Sequence, residues 1–544
     1  MKAFVVVLLY FLICPAVVLA QNFTENFELW PTDLKINGTV IASSGPKVDK
    51  KAVDVFVRSS GKDKAKVVAL WIDAEYEAVP FEEILGRDST RHFVNVSNPD
   101  FPNEKLGKAL DEASGALIFS TQPAKGNAAK VLDSVREELS ELLRRKGVVC
   151  VVGPVVSSFG AFRHDAIDSM SMITEDLGLF PDSIIYSSYA DNSNRKRMYA
   201  ALASKPKLVG VGIPDDTTVV LRGRKCFTLG EGKVTFAISA NERQPYRIQH
   251  LGNVSGRRAS PYDSVVDLTA WRRDAIERQM PSFPKANPSN PVVEKGTLFI
   301  VGGGGLPKGM MKEMVELAGG ENAHMVYVPC SERDSVPENH WILNEWNKMG
   351  VASANVFHTK DRNKANTDEA FLETMKNATG VWFGGGRQWN FADSYYGTEA
   401  HRLMKQVLAN GGVIGGSSAG ASIQGGYLAR ANPVANFDIM APGYERGLGF
   451  LPGVAIDQHF SQRRRQKDMT QLANRYPQLL GIGIDETTAI RVQGSTADVI
   501  GKGKVFFYDR RIPVIPGKPD YTSLTAGQSF DLVNRKVIEN LGDE

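Results

Sequence analysis

The feature that most constrains the fold of this chain is an internal repeat. The segment LGLFPDSIIYSSYADNSNRKRMYA, from Leu177, aligns without gaps on LGFLPGVAIDQHFSQRRRQKDMTQ, from Leu448. The same register later aligns PKLVGVGIPDDTT with PQLLGIGIDETTA, and LGEGKVTF with IGKGKVFF. Self-similarity that keeps one register for roughly sixty residues indicates a tandem duplication, and each copy spans about 250 residues.

A proline-rich segment is predicted to join the two copies. Residues 279–296, QMPSFPKANPSNPVVEKG, carry four prolines and little hydrophobic periodicity, which is typical of a linker. The predicted organisation is a signal peptide at 1–20, a first domain at 21–280, a linker at 281–295 and a second domain at 296–544.

After the linker, short β-branched runs alternate with amphipathic helical segments. The predicted strands are Thr297–Val301, His324–Val328, Gly380–Phe383 and Val413–Ile414. The predicted helices are Lys308–Ala318, Glu338–Met349, Thr367–Asn377 and Thr398–Ala409. This alternation, with strands that are apolar on both faces, predicts a doubly wound parallel α/β sheet. The repeat extends the prediction to both copies.

The first twenty residues, MKAFVVVLLYFLICPAVVLA, have the pattern of a cleavable secretory signal. No later segment approaches eighteen apolar residues, so we expect no membrane association after cleavage. Five N-x-S/T sequons fit a glycosylated product that is secreted or retained in the secretory lumen. They lie at Asn22, Asn37, Asn95, Asn253 and Asn377.

Composition excludes several classes of partner and leaves stability to hydrophobic cores. The net charge is +3 with both signs interleaved, so no nucleic-acid partner is expected. The mature chain would keep Cys150, Cys226 and Cys330, too few for a disulfide framework. No His/Cys/Asp cluster has metal-ligand spacing, so we expect no metal and no cofactor.

A glycine-rich turn, GGVIGGSSAGASIQGG, occupies residues 411–426. A phosphate-binding loop is excluded, because Ala421 and Ser422 stand where Lys and Ser/Thr are required. The stretch instead satisfies G-x-S-x-G centred on Ser418, the pattern of a nucleophile on a tight strand-to-helix turn. In such a turn the following backbone N–H, that of Ala419, faces a developing oxyanion.

A serine nucleophile needs a base, and His459 is the only histidine after Ser418. The sequence does not decide which carboxylate orients the histidine, because this residue can either precede or follow the histidine in the chain. Strand alternation places Asp485 and Glu486 on opposite sides, so only one of those two can face the histidine. The candidates are Asp438, Glu445 or Asp457 before the histidine, and Asp485 or Glu486 after it.

Four blocks of the second copy carry a more specific signal: FGGGRQ, GGSSAGA, IDQHFSQRRRQ and GIGIDETTAI. In this order they resemble the serine peptidase family that contains cyanophycinase and the aspartyl dipeptidases. The resemblance covers residues 296–544. It implies a fold like the class I glutamine amidotransferases, flavodoxin-like, and hydrolysis of peptide bonds by a Ser–His–Glu arrangement.

The resemblance also implies a role for individual residues. Ser418 matches the nucleophile, His459 the base and Glu486 the residue that orients it. The Gly385–Gly386 turn joins Ala419 as a source of oxyanion donors. The remaining matches are substrate-contacting positions, namely Gln388, Asp457, Gln458, Arg463 and Arg465. One departure is Asp468, which stands where a further arginine is expected.

The two arginines suggest the substrate. Guanidinium groups near a serine could hold a substrate carboxylate, which favours Asp-containing peptides. The alternative is that SQRRRQKD is a solvated basic helix face. A second hypothesis for the whole protein is a non-catalytic binding or scaffold protein built on two peptidase-like folds.

The first copy lacks the polar residues of the second. In the repeat alignment Gly153, Ser188 and Asp215 take the places of Ser418, His459 and Glu486. We therefore expect the first copy to be catalytically degenerate. Its retained glycines and prolines predict an intact fold that pairs with the second copy as an intrachain pseudo-dimer.

Overall fold

The computed structural model describes residues 27–45, 49–72, 90–95, 103–121, 127–167, 170–215, 217–252 and 264–539. The predicted signal peptide and the sequons at Asn22 and Asn253 lie outside this part of the chain. Asn37 and Asn377 are exposed, and Asn95 ends a strand. Within the described part, no helix is both long and apolar enough to cross a membrane.

The chain forms two compact units. The C-terminal unit comprises Ser282–Asn432 and Asn436–Glu544 together with Met1–Thr32, and the N-terminal unit comprises Asp33–Pro281 with Pro433–Ala435. The domain boundaries expected from the sequence stay predictions, and each unit is described by itself below.

The larger sheet of the C-terminal unit has a parallel half and an antiparallel half. Its order is β17-β16-β18-β19-β15-β23-β24-β27-β28, and β15 to β19 run parallel. The strands are β15 Val293–Val301, β16 His324–Val328, β17 Ser353–Val356, β18 Gly380–Phe383, β19 Val413–Ser417, β23 Thr488–Gly494, β24 Thr496–Gly501, β27 Ser529–Asp531 and β28 Lys536–Ile538. Strand β18 is fully buried and β19 is buried except at Ser417, as expected for a sheet covered on both faces.

A smaller sheet in the same unit has the order β20-β21-β22-β25-β26. Strands β20 to β22 are parallel, and β25 and β26 are antiparallel additions. The strands are β20 Gly425–Tyr427, β21 Leu451–Gln458, β22 Leu480–Ile484, β25 Val505–Tyr508 and β26 Thr522–Leu524. Two sheets therefore present carboxyl ends of parallel strands within one unit.

Three helices of the C-terminal unit begin at a residue whose side chain accepts a hydrogen bond from a free backbone N–H group. Thr398 accepts from the His401 N–H, and Asp368 accepts from the Phe371 N–H, as N-cap residues do. Helices are numbered in chain order, and the first six, α1 to α6, belong to the N-terminal unit. The helices of the C-terminal unit are α7 Met310–Leu317, α8 Trp341–Lys348, α9 Arg362–Thr367, α10 Glu369–Lys376, α11 Trp389–Tyr395, α12 Glu399–Ala409, α13 Ala419–Ser422 and α14 Gln466–Arg475.

The N-terminal unit has its own two sheets, ordered β3-β2-β4-β5-β1-β10-β11-β14 and β7-β6-β8-β9-β12-β13. The strands are β1 Thr39–Ser43, β2 Lys66–Trp71, β3 Thr90–Asn95, β4 Gly115–Phe119, β5 Val148–Val152, β6 Gly160–Ile167, β7 Met170–Glu175, β8 Phe180–Tyr186, β9 Val209–Gly212, β10 Thr217–Arg222, β11 Lys225–Gly230, β12 Lys233–Ile238, β13 Arg247–Gly252 and β14 Val266–Asp267. The helices are α1 Lys50–Ser60, α2 Asn103–Glu112, α3 Asn127–Ser134, α4 Arg136–Arg144, α5 Asn192–Ser204 and α6 Leu268–Glu277.

The two units repeat one strand order. In each larger sheet, the strands counted inward from the parallel edge are the third, second, fourth, fifth and first of the unit in chain order. An antiparallel strand, β10 or β23, then pairs with the first strand of the unit. The smaller sheets also correspond, with β6, β8, β9, β12 and β13 matching β20, β21, β22, β25 and β26.

The α/β class predicted from the sequence is confirmed. The predicted strands His324–Val328 and Gly380–Phe383 have the observed bounds, and the predicted helices differ from α7, α8, α10 and α12 by at most three residues at either end. The antiparallel strands and the second sheet of each unit were not predicted. Their pairing is long-range, and short alternating runs such as Thr488–Gly494 carry little helix-versus-strand signal of their own.

Candidate active site

The site lies where the carboxyl ends of parallel strands from both sheets of the C-terminal unit meet. Ser418 follows β19, which lies between β15 and β18. His459 follows β21, and Glu486 comes two residues after β22. The crevice outside the carboxyl ends of strands is where open α/β sheets bind ligands.

Ser418 stands on a strained turn. Its φ is 58° and its ψ is −113°, a backbone conformation rare for a residue with a side chain. The Ser418 N–H donates to the Val301 carbonyl at 3.0 Å, and α13 begins at the next residue. A Cβ on Gly416 would lie 2.3 Å from the Gly420 carbonyl oxygen, and one on Gly420 would lie 2.1 Å from that of Phe383. Both glycines of G-x-S-x-G are therefore required sterically.

Three side chains form a continuous hydrogen-bonded row, here called the Ser–His–Glu row. Ser418 Oγ lies 2.9 Å from His459 Nε2, and His459 Nδ1 lies 2.6 Å from Glu486 Oε1. Ser418 is partly exposed, whereas the His459 side chain is only 11% exposed. A hydroxyl, an imidazole and a carboxylate in this order can move a proton from the serine and stabilise the resulting imidazolium.

The structure distinguishes Glu486 from its neighbour. Asp485 is buried and accepts hydrogen bonds from the backbone N–H groups of Ser461 at 2.8 Å and Lys504 at 3.1 Å. It therefore ties the end of β22 to the segment that carries the histidine. The Glu486 N–H donates to Gln462 Oε1 at 3.0 Å, which fixes the turn on the other side.

The earlier carboxylates in the chain have other partners. Glu445 accepts from the hydroxyls of Tyr427 and Tyr476 at 3.1 and 3.2 Å. Asp457 is fully buried in ion pairs. For Asp438, the structure gives no hydrogen bond to His459. The acid contacting the histidine is thus the one that follows it in the chain.

Three consecutive glycines that the sequence interpretation did not assign are packed against the row. The Gly302 carbonyl accepts from the His459 N–H at 2.7 Å, and the Gly303 carbonyl accepts from the Thr487 N–H at 2.8 Å. A Cβ on Gly303 would lie 2.3 Å from His459 Cε1, and one on Gly304 would lie 2.6 Å from Glu486 Oε2. The signal that could have revealed them is a run of four glycines directly after a strand.

The pKa of His459 is lowered from its ordinary value. Burial is the main cause, because it disfavours the imidazolium. The hydrogen bond to Glu486 opposes this shift, whereas the positive charge of Arg463 adds to it. The lowered pKa favours the neutral imidazole, which is the form that can accept the serine proton.

Next to the row, four charged side chains form an ion-pair cluster of Arg430, Asp457, Arg465 and Asp468. Arg430 Nε lies 2.8 Å from Asp457 Oδ2, and Arg430 Nη2 lies 2.5 Å from Asp468 Oδ2. Arg465 Nη1 lies 2.8 Å from Asp457 Oδ1 and donates to the Gln458 carbonyl at 2.6 Å. The cluster is neutral in sum and holds the backbone immediately before His459.

This cluster separates the two arginines that were expected to bind substrate together. Arg465 is buried and committed to Asp457, and burial lowers its pKa to about 10. Arg463 is exposed and lies close enough to His459 to influence its pKa. Asp468, the departure from the expected pattern, pairs with Arg430. Only Arg463 of the two therefore reaches solvent beside the row.

The other predicted positions divide into exposed and buried sets. Gly385 and Gly386 are exposed, and a Cβ on Gly385 would lie 3.6 Å from Ser418 Cβ. Gln388 is buried and donates to the Ala429 carbonyl at 2.6 Å. Gln458 is also buried, and its Oε1 has no hydrogen-bond partner within the described part of the chain. An unsatisfied buried oxygen of this kind can accept a donor from a ligand. Ala419, the other predicted oxyanion donor, is buried at the start of α13.

The N-terminal unit shares backbone features of this site but not its serine, histidine and glutamate side chains. The Gly153 N–H donates to the Ser43 carbonyl at 2.9 Å, as Ser418 does to Val301. Ser188 has a φ of 47°, beside 49° for His459. Its Oγ donates to Asp215 Oδ1 at 2.8 Å, and Ser44 Oγ donates to the same oxygen at 3.0 Å. Glycine thus stands at the place of Ser418, and a serine stands at the place of His459.

Comparison with known proteins identifies the class. Residues 298–500 match the model of peptidase family S51. The cyanophycinase of Geminocystis herdmanii is 29% identical over 205 residues, 37% of this chain and 75% of that protein. The cyanophycinase of Synechococcus elongatus is 28% identical over 225 residues, 40% of this chain and 69% of that protein. The predicted enzyme class, a serine-type peptidase, is confirmed.

Residues 298–500 are thus similar to peptidase family S51 and to the cyanophycinases, as the sequence blocks indicated. Two solved structures are also similar. A peptidase from an acI-B1 Actinobacterium is 21% identical, covering 44% of this chain and 97% of that one, with a TM-score of 0.34. A putative peptidase E protein from Listeria monocytogenes is 15% identical, covering 38% and 100%, with a TM-score of 0.28.

The first prediction concerns Gly303. We expect Gly303→Ala to abolish peptidase activity, because the added methyl group would occupy the place of the His459 ring. Gly309→Ala is the matched control, since Gly309 also has a positive φ but no atom within 4 Å of an added Cβ. Both substitutions place an alanine at a positive φ, so the backbone strain is of the same kind. Equal activity in the two variants, measured on one peptide substrate, would contradict the packing argument.

The second prediction concerns the charge balance at His459. Titration of the His459 ring followed by NMR should give a pKa below the ordinary value of 6.5. Arg463→Gln should raise this pKa, because it removes a nearby positive charge, while Glu486→Gln should lower it further. Arg463→Lys, which keeps the charge, should leave it close to that of the parent. A fall in the pKa on removing Arg463 would show that the electrostatic assignment is wrong.

Proposed function

We propose that the C-terminal unit hydrolyses peptide bonds with Ser418 as nucleophile, His459 as general base and Glu486 as the residue that orients the base. The observation that carries the proposal is the unbroken Ser–His–Glu row, with contacts of 2.9 and 2.6 Å. The strained backbone of Ser418 supports it, because such strain is characteristic of a nucleophile presented at a strand-to-helix turn.

The reaction follows from the row. His459 Nε2 takes the proton of Ser418 Oγ as the oxygen attacks the peptide carbonyl, and Glu486 stabilises the imidazolium through Nδ1. His459 then gives this proton to the departing amine, leaving an acyl group on the serine. Water, deprotonated by the same imidazole, attacks the acyl carbonyl and restores the free serine.

The tetrahedral oxyanion requires donors beside Ser418. We assign them to the backbone N–H of Ala419 and to the Gly385–Gly386 turn. Gly385 borders the Ser418 side chain and is exposed, so a substrate carbonyl can enter between them. Fixed backbone donors of this kind stabilise the transition state without reorganisation.

The proposed substrates are peptides with an acidic residue near the cleaved bond. Arg463 supplies an exposed positive charge next to His459. The charges of Arg430 and Arg465 are neutralised by Asp457 and Asp468, so these arginines hold the site together. Gln458 Oε1 and the buried Gln388 are the polar groups we assign to contacts with the substrate backbone.

The N-terminal unit is proposed to be a degenerate copy without activity. The positions aligned with the Ser–His–Glu row hold Gly153, Ser188 and Asp215, and the Ser188 hydroxyl donates a hydrogen bond to the Asp215 carboxylate. The shared strand order of the two units supports their origin by duplication. We further propose that the mature protein is secreted, that its sequons are glycosylated and that the two units pair within one chain.

The third prediction tests the nucleophile. A fluorophosphonate probe should label the full-length protein at Ser418 alone, and Ser418→Ala should lose both labelling and hydrolysis. Ser417→Ala is the neighbouring control and should retain most of the activity, because Ser417 is the last residue of β19 and has no part in the row. Peptide mapping locates the label. Labelling within residues 33–281 would contradict the proposal that the N-terminal unit is inactive. A wild-type protein that is neither labelled nor active would favour a non-catalytic binding role.

The fourth prediction tests the acidic specificity. Arg463→Gln should raise the KM for an Asp-containing peptide by roughly ten- to a hundredfold, which is the effect of losing one charge-assisted hydrogen bond. The KM for the matched Asn peptide should change little. Arg465→Gln should instead lower the Tm, because it leaves Asp457 with less compensation for its burial. Equal losses on the acidic and neutral peptides would rule out a carboxylate contact at Arg463.

A further inference from the structure

The proposed oxyanion turn presents two backbone N–H groups to the surface beside Ser418. The turn follows β18, and the Gly384 N–H at its start donates to the Val328 carbonyl at 3.0 Å. Within the part of the chain that the structure describes, the next two N–H groups, those of Gly385 and Gly386, have no protein acceptor. Both residues are exposed. Their N–H groups are therefore available to an oxygen of a bound substrate.

Two adjacent glycines cannot fix such a turn by themselves. Glycine has more backbone freedom than any other residue, whereas oxyanion donors stabilise a transition state best when they are held in place beforehand. Gly386 has a φ of 149°, a conformation that a residue with a side chain rarely adopts. The turn therefore needs an anchor outside the two glycines.

The anchor is the carbonyl group of Arg387, the residue that follows the turn. Three donors converge on its oxygen: Cys330 Sγ at 2.9 Å, Asn390 Nδ2 at 3.0 Å and the Asn390 backbone N–H at 3.0 Å. Cys330 lies two residues after β16, and Asn390 lies in the first turn of α11. The carbonyl is thus held from two elements that are separate in the chain.

Cys330 also supports the turn by packing. A Cβ on Gly386 would lie 2.9 Å from the Cys330 carbonyl oxygen and 3.0 Å from its Sγ, so the turn rests directly on this residue. Burial is the main cause that raises the pKa of the Cys330 thiol to about 12. The thiol therefore keeps its proton at neutral pH and can donate a hydrogen bond to the Arg387 carbonyl.

The orientation of the Asn390 amide is set by Lys360. Lys360 Nζ donates to Asn390 Oδ1 at 3.2 Å and to the Asn390 carbonyl at 3.1 Å. A lysine ammonium only donates, so the amide oxygen of Asn390 faces Lys360 and the amide nitrogen faces Arg387. Asn390 is buried, and its side chain is therefore held at both ends.

We propose that Cys330 and Asn390 act as a clamp on the Arg387 carbonyl and so position the Gly385 and Gly386 N–H groups for the oxyanion. This inference rests on the proposed peptidase function and adds two positioning residues outside the Ser–His–Glu row. Because the oxyanion forms only as the serine attacks, the clamp contributes to kcat and leaves the KM nearly unchanged.

The test measures kcat and KM of the full-length protein on one Asp-containing peptide. Asn390→Asp replaces the amide nitrogen by an oxygen that repels the Arg387 carbonyl, while it keeps an acceptor for Lys360. It should lower kcat by about ten- to a hundredfold and change the KM by less than about twofold. Asn344→Asp is the matched control and should leave both unchanged, because Asn344 is exposed and its Nδ2 donates to Asn339 instead.

Substitution of Cys330 tests the other half of the clamp. Cys330→Ser keeps a donor and should retain most of the kcat. Cys330→Ala should lower kcat by about three- to tenfold, the effect of losing one hydrogen bond. The Tm of each variant is measured alongside. If Asn390→Asp does not fold, the two Cys330 variants decide, and equal kcat values in them would overturn the inference.

A peptide aldehyde gives a second measure of the same donors. Ser418 Oγ adds to the aldehyde carbon, and the former carbonyl oxygen takes the place of the oxyanion. An aldehyde analogue of the peptide should therefore lose affinity for Asn390→Asp by about the factor lost in kcat/KM. The peptide itself should bind Ser418→Ala equally with and without Asn390→Asp in calorimetric titration, because this complex contains no oxyanion.

The outcomes separate the clamp from the proposed function. Unchanged kinetics in Asn390→Asp and Cys330→Ala, a rise in KM alone, or an unchanged affinity for the aldehyde would overturn the clamp and leave the peptidase function in place. A parent protein that neither hydrolyses peptides nor reacts with a fluorophosphonate would overturn the proposed function, and the clamp with it.

Discussion

The site depends on a stretch of backbone that carries no side chains. Gly302 and Gly303 bind the main chain of the histidine and glutamate turns through their carbonyl groups, at 2.7 and 2.8 Å. Any Cβ on Gly303 or Gly304 would enter the space of the His459 ring or the Glu486 carboxylate. Because this stretch follows β15, it joins the larger sheet to the turns at the ends of the smaller one. Packing without side chains is what allows Ser418 and His459 to come into contact.

Much of the row could be predicted from local sequence. The spacing of Gly416, Ser418 and Gly420 predicts a tight strand-to-helix turn that presents Ser418, and the structure gives both glycines a steric reason. His459 was identifiable because no other histidine follows the serine. Strand alternation could say only that one of Asp485 and Glu486 faces the imidazole. The geometry assigns Glu486 to the histidine and Asp485 to two backbone N–H groups.

What sequence could not supply are relations that depend on distant partners. Arg465 has the same local setting as Arg463 in SQRRRQKD, yet one is buried against Asp457 and the other is exposed. Arg430, which organises the ion-pair cluster, lies 27 residues before Asp457 and belongs to no motif. The glycines after β15 are informative only once their contacts with the histidine turn are known. Long-range pairing, and not propensity, decides each case.

The division of the site between two sheets has a consequence for how its activity can be controlled. Ser418 is carried by the larger sheet, whereas His459 and Glu486 follow neighbouring strands of the smaller one. A sliding of one sheet past the other would lengthen the Oγ–Nε2 contact and leave the Nδ1–Oε1 contact intact. A displacement of about 1 Å at a reacting centre can cost on the order of a hundredfold in rate. A small shear between the two sheets would therefore be enough to abolish the proposed activity without breaking a strand.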